Sequence, residues 1–446
     1  MKPKILLVNP PIYDFTAFDF WLKPYGMLSV AGYLRGKADF QLFDYLDRLH
    51  PLVAGRKELQ SDKWGRGRFY SEKVAKPQCF ATIPRYYRRF GLPRDTFRKF
   101  LSQQGPYDFA FVQTIMTYWY KGVEEVLEDL REVLPKTKII LGGNYVTVCT
   151  SHTEKLGADF LAVGTNLEPL WNYLGVIGDL EQPALWEIYD KLNVGILKLA
   201  DGCPFNCTYC SVPKVYGKFK ARPLERSLSE LELLCKLDAE DIAFYDDALL
   251  FDSEQVLAPF LNEVIKRCIK VNPPHVWRIN FHTPNALNAR FVTQKIAALM
   301  VQAGFKTFYL GLESASLQWQ KQTGSKVSCV ELLQAVAHLT DAGAEAANIK
   351  AYQILGHPNT TAGELEATIR FVNSLGIRGV LADFSPIPGT PDGNLCRQWV
   401  NMDEPLLHNK TAFPIILLGF EEVNRLKELQ RQLNRSLAGP PSTGPY

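Results

Sequence analysis

The chain reads as an α/β protein: an N-terminal doubly wound, Rossmann-like domain, then a partial (βα)6 barrel, then a short helical C-terminal extension. Three observations predict this. Short apolar runs alternate with amphipathic helical stretches, the pattern of parallel sheets covered by helices. That alternation occurs twice, five strands in the first set and six in the second. The length, 446 residues, suits about three domains of about 150 residues, or two where one is a barrel. The expected boundaries are 1–180 for the first domain, with an insertion at 50–106, 190–395 for the barrel, 396–437 for the extension and 438–446 for a disordered tail.

In the first set, strands are expected at 4–9, 40–44, 108–113, 138–141 and 159–163, with helices such as 26–35 and 121–133 between them. Five such strands suggest a sheet whose strand ends make a ligand crevice. The insertion breaks this rhythm. Trp64-Gly-Arg-Gly-Arg-Phe-Tyr70 and Pro84-Arg-Tyr-Tyr-Arg-Arg-Phe90 are basic and aromatic, suited to stacking bases and neutralising phosphates. Equally, they suit a small helical subdomain whose Arg stems cover apolar surface, the commoner use of such an element.

In the second set, strands are expected at 194–199, 241–245, 276–281, 307–312, 348–355 and 379–385, with helices such as 227–236, 291–302 and 329–342. Six repeats suit a partial barrel, with active residues at the C-terminal ends of its strands. Near the C-terminus, Val423, Leu426, Leu429 and Leu433 recur at helical spacing over 420–433, so an amphipathic helix should pack there. The Pro- and Gly-rich stretch 438–446 reads as a tail.

The 50 basic residues nearly balance the 47 acidic ones, which gives no global pull toward nucleic acid or a membrane. The apolar stretch of Lys4-Ile-Leu-Leu-Val8 is too short for a signal peptide or a membrane span, and prolines end it. Of nine cysteines, Cys79, Cys149, Cys235, Cys268, Cys329 and Cys396 are scattered and read as ordinary thiols. A reducing, cytoplasmic compartment is expected.

The other three cysteines are patterned. Asp201-Gly-Cys-Pro-Phe-Asn-Cys-Thr-Tyr-Cys-Ser211 puts Cys203, Cys207 and Cys210 within eight residues. An ordinary electron-transfer cluster takes four cysteinates, and a structural zinc takes four Cys or His ligands, usually as two separated pairs. Here the next cysteine is Cys235 and the next histidine His275. A four-iron cluster on this loop would therefore keep one iron open, whereas a zinc knuckle or buried apolar thiols fit the count poorly.

With Tyr209 just before the third cysteine, the loop resembles the signature of the radical S-adenosylmethionine (SAM) enzymes. The resemblance implies a [4Fe-4S] cluster on Cys203, Cys207 and Cys210, SAM on the open iron and reductive cleavage to a 5′-deoxyadenosyl radical. It extends along the barrel. Ile242-Ala-Phe-Tyr-Asp-Asp247 implies that Asp246 or Asp247 accepts from the SAM ammonium, against a plain helix cap or surface pair. Arg278 and Asn280 share a strand face and are expected to reach the SAM carboxylate or the substrate. Tyr309-Leu-Gly-Leu-Glu-Ser314 matches the family's Gly-x-Glu-Ser segment, implying that Glu313, with Ser314 beside it, binds the ribose hydroxyls. Ala351-Tyr-Gln-Ile-Leu-Gly-His-Pro358 resembles the segment beside the adenine, which points to Tyr352 and Gly356. Ser385-Pro-Ile-Pro-Gly-Thr390 resembles the turn after the sixth strand. His282 and His357 stand as acid or base candidates, against the ordinary hydrogen-bonded structural histidine.

The first domain resembles the cobalamin-binding domain that precedes the barrel in one subgroup of that family. The matching residues are Asn9 and Pro10 after the first strand, Met116 and Thr117 after the third, Gly142, Gly143, Asn144 and Thr147 after the fourth, and Gly164 with Glu168 after the fifth. The Asp-x-His-x-x-Gly motif that carries a lower cobalt ligand is missing, so base-off binding is implied. The cofactors expected are thus the [4Fe-4S] cluster, SAM and cobalamin. The expected partners are an external one-electron reductant such as flavodoxin or ferredoxin and a small-molecule or peptide substrate, with nucleic acid disfavoured. The function expected is cobalamin-dependent methylation of an unactivated carbon. The alternatives are a radical rearrangement or cyclisation, RNA modification through the insertion, and a non-catalytic cluster-based sensor.

Overall fold

The computed structural model describes residues 2–270 and 279–437, side chains of 268–270 aside. Arg278 and the tail at 438–446 lie outside the described residues. The chain divides into two units, residues 1–192 with 401–409 and residues 193–400 with 410–446. The expected extension is therefore split. Its segment 401–409 belongs to the first unit and the rest to the second.

The first unit is built on five parallel strands, β1 (Lys4–Asn9), β2 (Asp39–Asp44), β3 (Phe109–Thr114), β4 (Lys138–Gly143) and β5 (Phe160–Ala162). Their spatial order is β5-β4-β3-β1-β2. The order reverses between β1 and β3, and at such a switch point the loops leave in opposite directions and open a crevice. Leu6, Val8, Val112 and Leu141 bury one face of the sheet against Val126 and Leu130 of the helix Tyr120–Val133. Apolar residues at near-continuous positions are what a parallel strand covered on both faces requires.

The insertion is mostly turns and loop with short strands, and not a helical subdomain. Arg88–Phe90 pairs antiparallel with Ile12–Asp14 on one side and with Ser71–Lys73 on the other, while Gly67–Arg68 pairs with Phe18–Asp19. Its one longer helix is Arg94–Gln104. Its arginines have internal partners. Arg89 forms a bidentate pair with Glu125 at 2.6 and 2.8 Å, both buried. Arg66 pairs with Asp62, and Arg94 and Arg98 with Asp129, while Arg48, just before the insertion, pairs with Asp19 and donates to three backbone carbonyls. Phe69, Phe80, Tyr87 and Phe90 are buried. Those side chains are not laid out to stack bases.

The second unit is an open, all-parallel six-stranded sheet in chain order: β6 (Val194–Leu197), β7 (Asp241–Phe244), β8 (Asn280–Asn288), β9 (Phe305–Glu313), β10 (Ile349–Leu355) and β11 (Arg378–Asp383). Chain-order parallel strands with helices between them are the arrangement of a barrel left unclosed. The third strand is described from Asn280 to Asn288 and so runs past the expected end at 281; residues 276–278 of the expected strand lie outside the described residues. Its pairing with β9 is interrupted between Thr283 and Leu287, so Pro284, Asn285 and Ala286 leave the ladder, where proline costs no hydrogen bond. The helix Phe420–Ser436 buries Val423 and Leu426 and packs on the helix Ala362–Ser374 and on β11.

Candidate functional site

The cysteine loop leaves β6 and is fixed at its root by buried charge. Lys198 is buried, 3.0 Å from Asp201 and 3.7 Å from Asp247, and Arg222 forms a bidentate pair with Asp201 at 2.9 Å. Against burial, Arg222 and Lys198 hold the Asp201 carboxyl well below the usual range. Asp246 is also buried, and its Oδ1 accepts from the backbone N–H groups of Leu199 and Ala200 at 2.9 and 2.7 Å. Through Oδ1 Asp246 thus anchors the loop entry, while its Oδ2 is buried without a hydrogen-bond partner; of the pair, Asp247 lines the cleft described below. Burial pushes its carboxyl up to about 7.

Further along, Thr208 donates to Asp392 at 2.6 Å, and Asp392 accepts from His357 Nε2 at 2.9 Å. Trp319 Nε1 donates to His357 Nδ1 at 3.0 Å. With one ring nitrogen donating and the other accepting, His357 is a neutral, fully buried connector that ties the cysteine loop to two other segments. Burial pushes the thiols of Cys203 and Cys207 up, and that of Cys210 to about 11, so ligation would release protons. The Tyr209 hydroxyl bonds the Cys207 sulfur, and its ring stacks on Trp319 at 5.8 Å.

A cleft of about 310 Å³ opens at the C-terminal side of the sheet, lined by Asp247, Pro284, Asn285, Ala286, Glu313, Lys326, Tyr352 and Ala382. That is at the lower end of small-ligand pockets. Asp247, Glu313 and Tyr352 therefore meet as the sequence suggests. Glu313 closes β9 at φ 69°, a left-handed conformation that a non-glycine residue adopts only when its surroundings impose it. Burial pushes its carboxyl up, while Lys326, 3.7 Å away, pulls it down. Lys326 is in turn lowered by burial and raised further by Glu313 and the three thiols. The turn that carries Lys326 lies against the cysteine loop: a Cβ on Gly324 would be 3.5 Å from the Cys207 Cα, and the Thr208 N–H reaches the Thr323 carbonyl at 3.4 Å.

Other expected residues lie elsewhere. Asn280 and His282 sit at the N-terminal end of the sheet, where both contact Asp241, at 3.2 and 3.0 Å. His282 also bonds Thr307 and is fully buried, so it is a structural histidine. Ser314 is buried and accepts from the Ser316 N–H and, through its carbonyl, from Gln320. Gly356 follows β10 at a positive φ of 83°. A Cβ there would lie 2.6 Å from Pro414, so the C-terminal helix Ala412–Leu418 requires the glycine. Lys326 and the Pro284–Ala286 bulge escaped the sequence reading. Gly324-Ser-Lys326 has no motif shape, and its place depends on the turn after the helix Leu317–Thr323.

In the first unit, Asn9, Pro10 and Met116 line the switch-point crevice with Thr114, Leu46 and Trp119. Only about 20 Å³ remains free there, room for roughly one water. Asn9 donates to Asp44 at 2.7 Å, and Trp119 to Asp14 at 2.8 Å. Thr117 contacts His408 at 2.9 Å, while Thr147 bonds the Gly143 carbonyl and the Gly164 N–H. A Cβ on Gly143 would lie 2.0 Å from the Thr114 carbonyl oxygen, so that glycine serves strand packing, whereas one on Gly142 would meet only ordinary contact. Asn144 and Glu168 open the helices Asn144–Val148 and Glu168–Leu174. Met116, Val163, Gly164 and Glu168 are exposed at the strand ends.

Residues 197–372 match the model of the Radical SAM superfamily. They form a radical SAM domain. An uncharacterised methyltransferase of Pyrococcus horikoshii is 29% identical over 206 residues, 45% of this chain and 41% of that protein. The chain spans about two fifths of the length of the curated relatives it matches. Among solved structures, the radical SAM methyltransferase TsrM of Kitasatospora setae, with cobalamin and a [4Fe-4S] cluster bound, has a TM-score of 0.65 at 13% identity, covering 89% of this chain and 75% of that one. The cobalamin-dependent SAM radical enzyme OxsB, with aqua-cobalamin and SAM bound, has a TM-score of 0.55 at 14% identity, covering 97% and 61%. At such identities the likeness is one of fold, which spans the unit before the radical SAM domain as well. No helix among the described residues is long and apolar enough to cross a membrane.

The donor set fits a cluster better than one ion. A single ion would need donors converging on one point, and no group of three or more Cys, His, Asp and Glu does so among the described residues. A four-iron cluster takes one thiolate per iron.

Proposed function

We propose that the chain is a radical SAM enzyme that holds a [4Fe-4S] cluster on Cys203, Cys207 and Cys210 and binds SAM in the neighbouring cleft. The observation that carries this reading is Lys326: it lines the cleft together with Asp247, Glu313 and Tyr352, and the turn that brings it there, at Gly324, lies against Cys207. When bound, such a cluster supplies the electron that cleaves the sulfonium of SAM and releases a 5′-deoxyadenosyl radical. This chain's residues bind and orient. Asp247 accepts from the SAM ammonium, Glu313 accepts from the ribose hydroxyls, Lys326 donates to the SAM carboxylate, and Tyr352 walls the cleft. The reductant is a flavodoxin or ferredoxin, and the compartment is a reducing cytoplasm.

The proposed reaction is methylation of an unactivated carbon in a small-molecule or peptide substrate. A corrinoid, when bound, supplies the methyl group. The exposed strand ends around Met116, Val163 and Gly164 suit the flat macrocycle, whereas the filled crevice beside Trp119 does not suit its nucleotide tail. The cobalamin bound to TsrM and OxsB supports this part of the reading.

Anaerobic reconstitution tests the core of the reading. The protein should take up about four irons per chain and release 5′-deoxyadenosine from SAM under reducing conditions. The triple Cys203→Ala, Cys207→Ala, Cys210→Ala variant should do neither, while Cys235→Ala and Cys329→Ala should do both. A full iron complement in the triple variant would sink the assignment.

A further inference from the structure

We propose that the outer aromatic face of the cysteine loop, flanked by Lys218 and Lys220, docks an acidic one-electron carrier protein. This rests on the reading that the loop carries a redox cluster. Phe205 lies midway between Cys203 and Cys207. It stays half-exposed and packs on Phe251 and Phe291 at 6.1 and 6.0 Å, while Phe219 packs on Phe251 at 5.0 Å. All four rings are partly open to solvent. They come from four separate segments and gather on the cysteine loop. Partly exposed aromatics in one patch, with polar residues at the rim, mark an interaction surface rather than a monomer's ordinary exterior.

Along the cysteine loop and its hairpin the charge is one-signed. From Gly202 to Leu224 the chain has four cations, Lys214, Lys218, Lys220 and Arg222, and no acid. Arg222 is committed to Asp201. Lys214, Lys218 and Lys220 are exposed. Lys220 pairs through its backbone with Asp201, and the Cys203 N–H reaches the Gly217 carbonyl at 3.4 Å. The two-stranded hairpin therefore holds Lys218 and Lys220 against the cysteine loop with little freedom left to lose on binding. On the far side of the rings, Glu254 pairs with Lys295, Arg290 pairs with Glu331, and Asp252 is an exposed acid beside Phe251. Lysines at an aromatic patch attract an acidic partner, raise its encounter rate and orient it. Electron transfer needs the donor close to the acceptor, and this face has a ring belonging to the ligand loop itself. The transfer is one electron out of the carrier and one into the site, with no bond made.

The test uses full-length protein, an oxidised flavodoxin with an acidic surface, and three variants: Lys218→Glu/Lys220→Glu, Phe219→Ala, and a control in the first unit, Lys57→Glu. By calorimetry on the iron-free protein, wild type and control should bind flavodoxin with an affinity that falls as salt rises. The double variant should lose about tenfold or more of that affinity, the size expected when rim charges are reversed, with an unchanged melting temperature. Phe219→Ala should weaken binding without altering its salt dependence. On iron-loaded protein, reduced flavodoxin should bleach the double variant more slowly than wild type, while photoreduction with 5-deazaflavin bleaches both alike. Equal flavodoxin affinity in wild type and double variant, or no binding to wild type, overturns the surface. So does a double variant that loses binding to a uridine oligonucleotide while keeping flavodoxin. If no iron is taken up, the proposed function fails, and the calorimetric arm still decides the surface.

Discussion

Glu313 is buried, left-handed in its backbone and placed in the cleft, a combination that costs stability and needs a return in binding. Glycine adopts the same φ without the Cβ conflict, which is about 1–2 kcal/mol for other residues. Glu313→Gly should therefore make SAM-free protein more stable by about 1 kcal/mol in chemical denaturation and abolish SAM binding in calorimetry. An unchanged or lower stability would remove the strain from the account. Glu313→Gln keeps the backbone and should weaken SAM by about 1–3 kcal/mol with stability little changed. The neighbouring carboxylates separate by role. Asp247 lines the cleft, so Asp247→Asn should weaken SAM binding. Asp246 anchors backbone, and its folded value of about 7 stands above the unfolded range. Between about pH 4 and 7 the folded protein then holds the proton that the unfolded chain has released, so this group's contribution falls as pH rises. Asp246→Asn keeps an oxygen for the two amides and has no proton to lose. Urea melts at pH 5 and pH 8 should show the variant gaining on wild type at the higher pH; the same difference at both would show that Asp246 does not titrate in this window.

At the level of elements, two glycines side by side at the end of β4 make a sharp comparison. Gly143→Ala meets the Thr114 carbonyl oxygen at 2.0 Å and an unfavourable φ of +120°, so it should cost about 2–4 kcal/mol with or without any corrinoid. Gly142→Ala, at 3.5 Å from its nearest neighbour, should stay within about 1 kcal/mol. Thermal melts of the two decide whether the pair was kept for packing. Most of the elements were legible in the sequence. The strand at 4–9 matches β1 to the residue and, apart from β8, which runs on to Asn288, the others fall within a few residues, because buried parallel strands are continuous apolar runs. The insertion was not legible, because strands of two or three residues pairing with Ile12–Asp14 have too few positions to show a period. In the cleft, Asp247, Glu313 and Tyr352 were readable from strand-end motifs. Asp246 and Gly356 fit the same motifs, and no spacing shows that Asp246 also holds the loop entry or that Gly356 packs against Pro414. Lys326 comes to the cleft only through the turn after a helix, which no spacing records.

For the whole molecule, the first unit poses the sharper question, since the crevice beside Trp119 is filled while the strand ends are open. Hydroxocobalamin and cobinamide, which lacks the nucleotide tail, should bind about equally by absorbance titration, and Trp119→Ala should favour the tailed form. A strong preference of the wild type for hydroxocobalamin would mean that the crevice opens on binding. The same unit holds a segment that arrives late in the chain. Asn409 donates to the buried Asp14 at 2.8 Å, His408 contacts Thr117, and Tyr120 donates to Glu404 at 3.2 Å. A protein ending at residue 395 would lose all three. During synthesis, residue 192 is made 209 residues ahead of residue 401, an interval of about 10–40 s at the ribosome. Throughout that time Asp14 lacks its Asn409 partner, so the first unit waits on the ribosome as an incomplete body, open to chaperones and proteases, until the radical SAM domain has been translated.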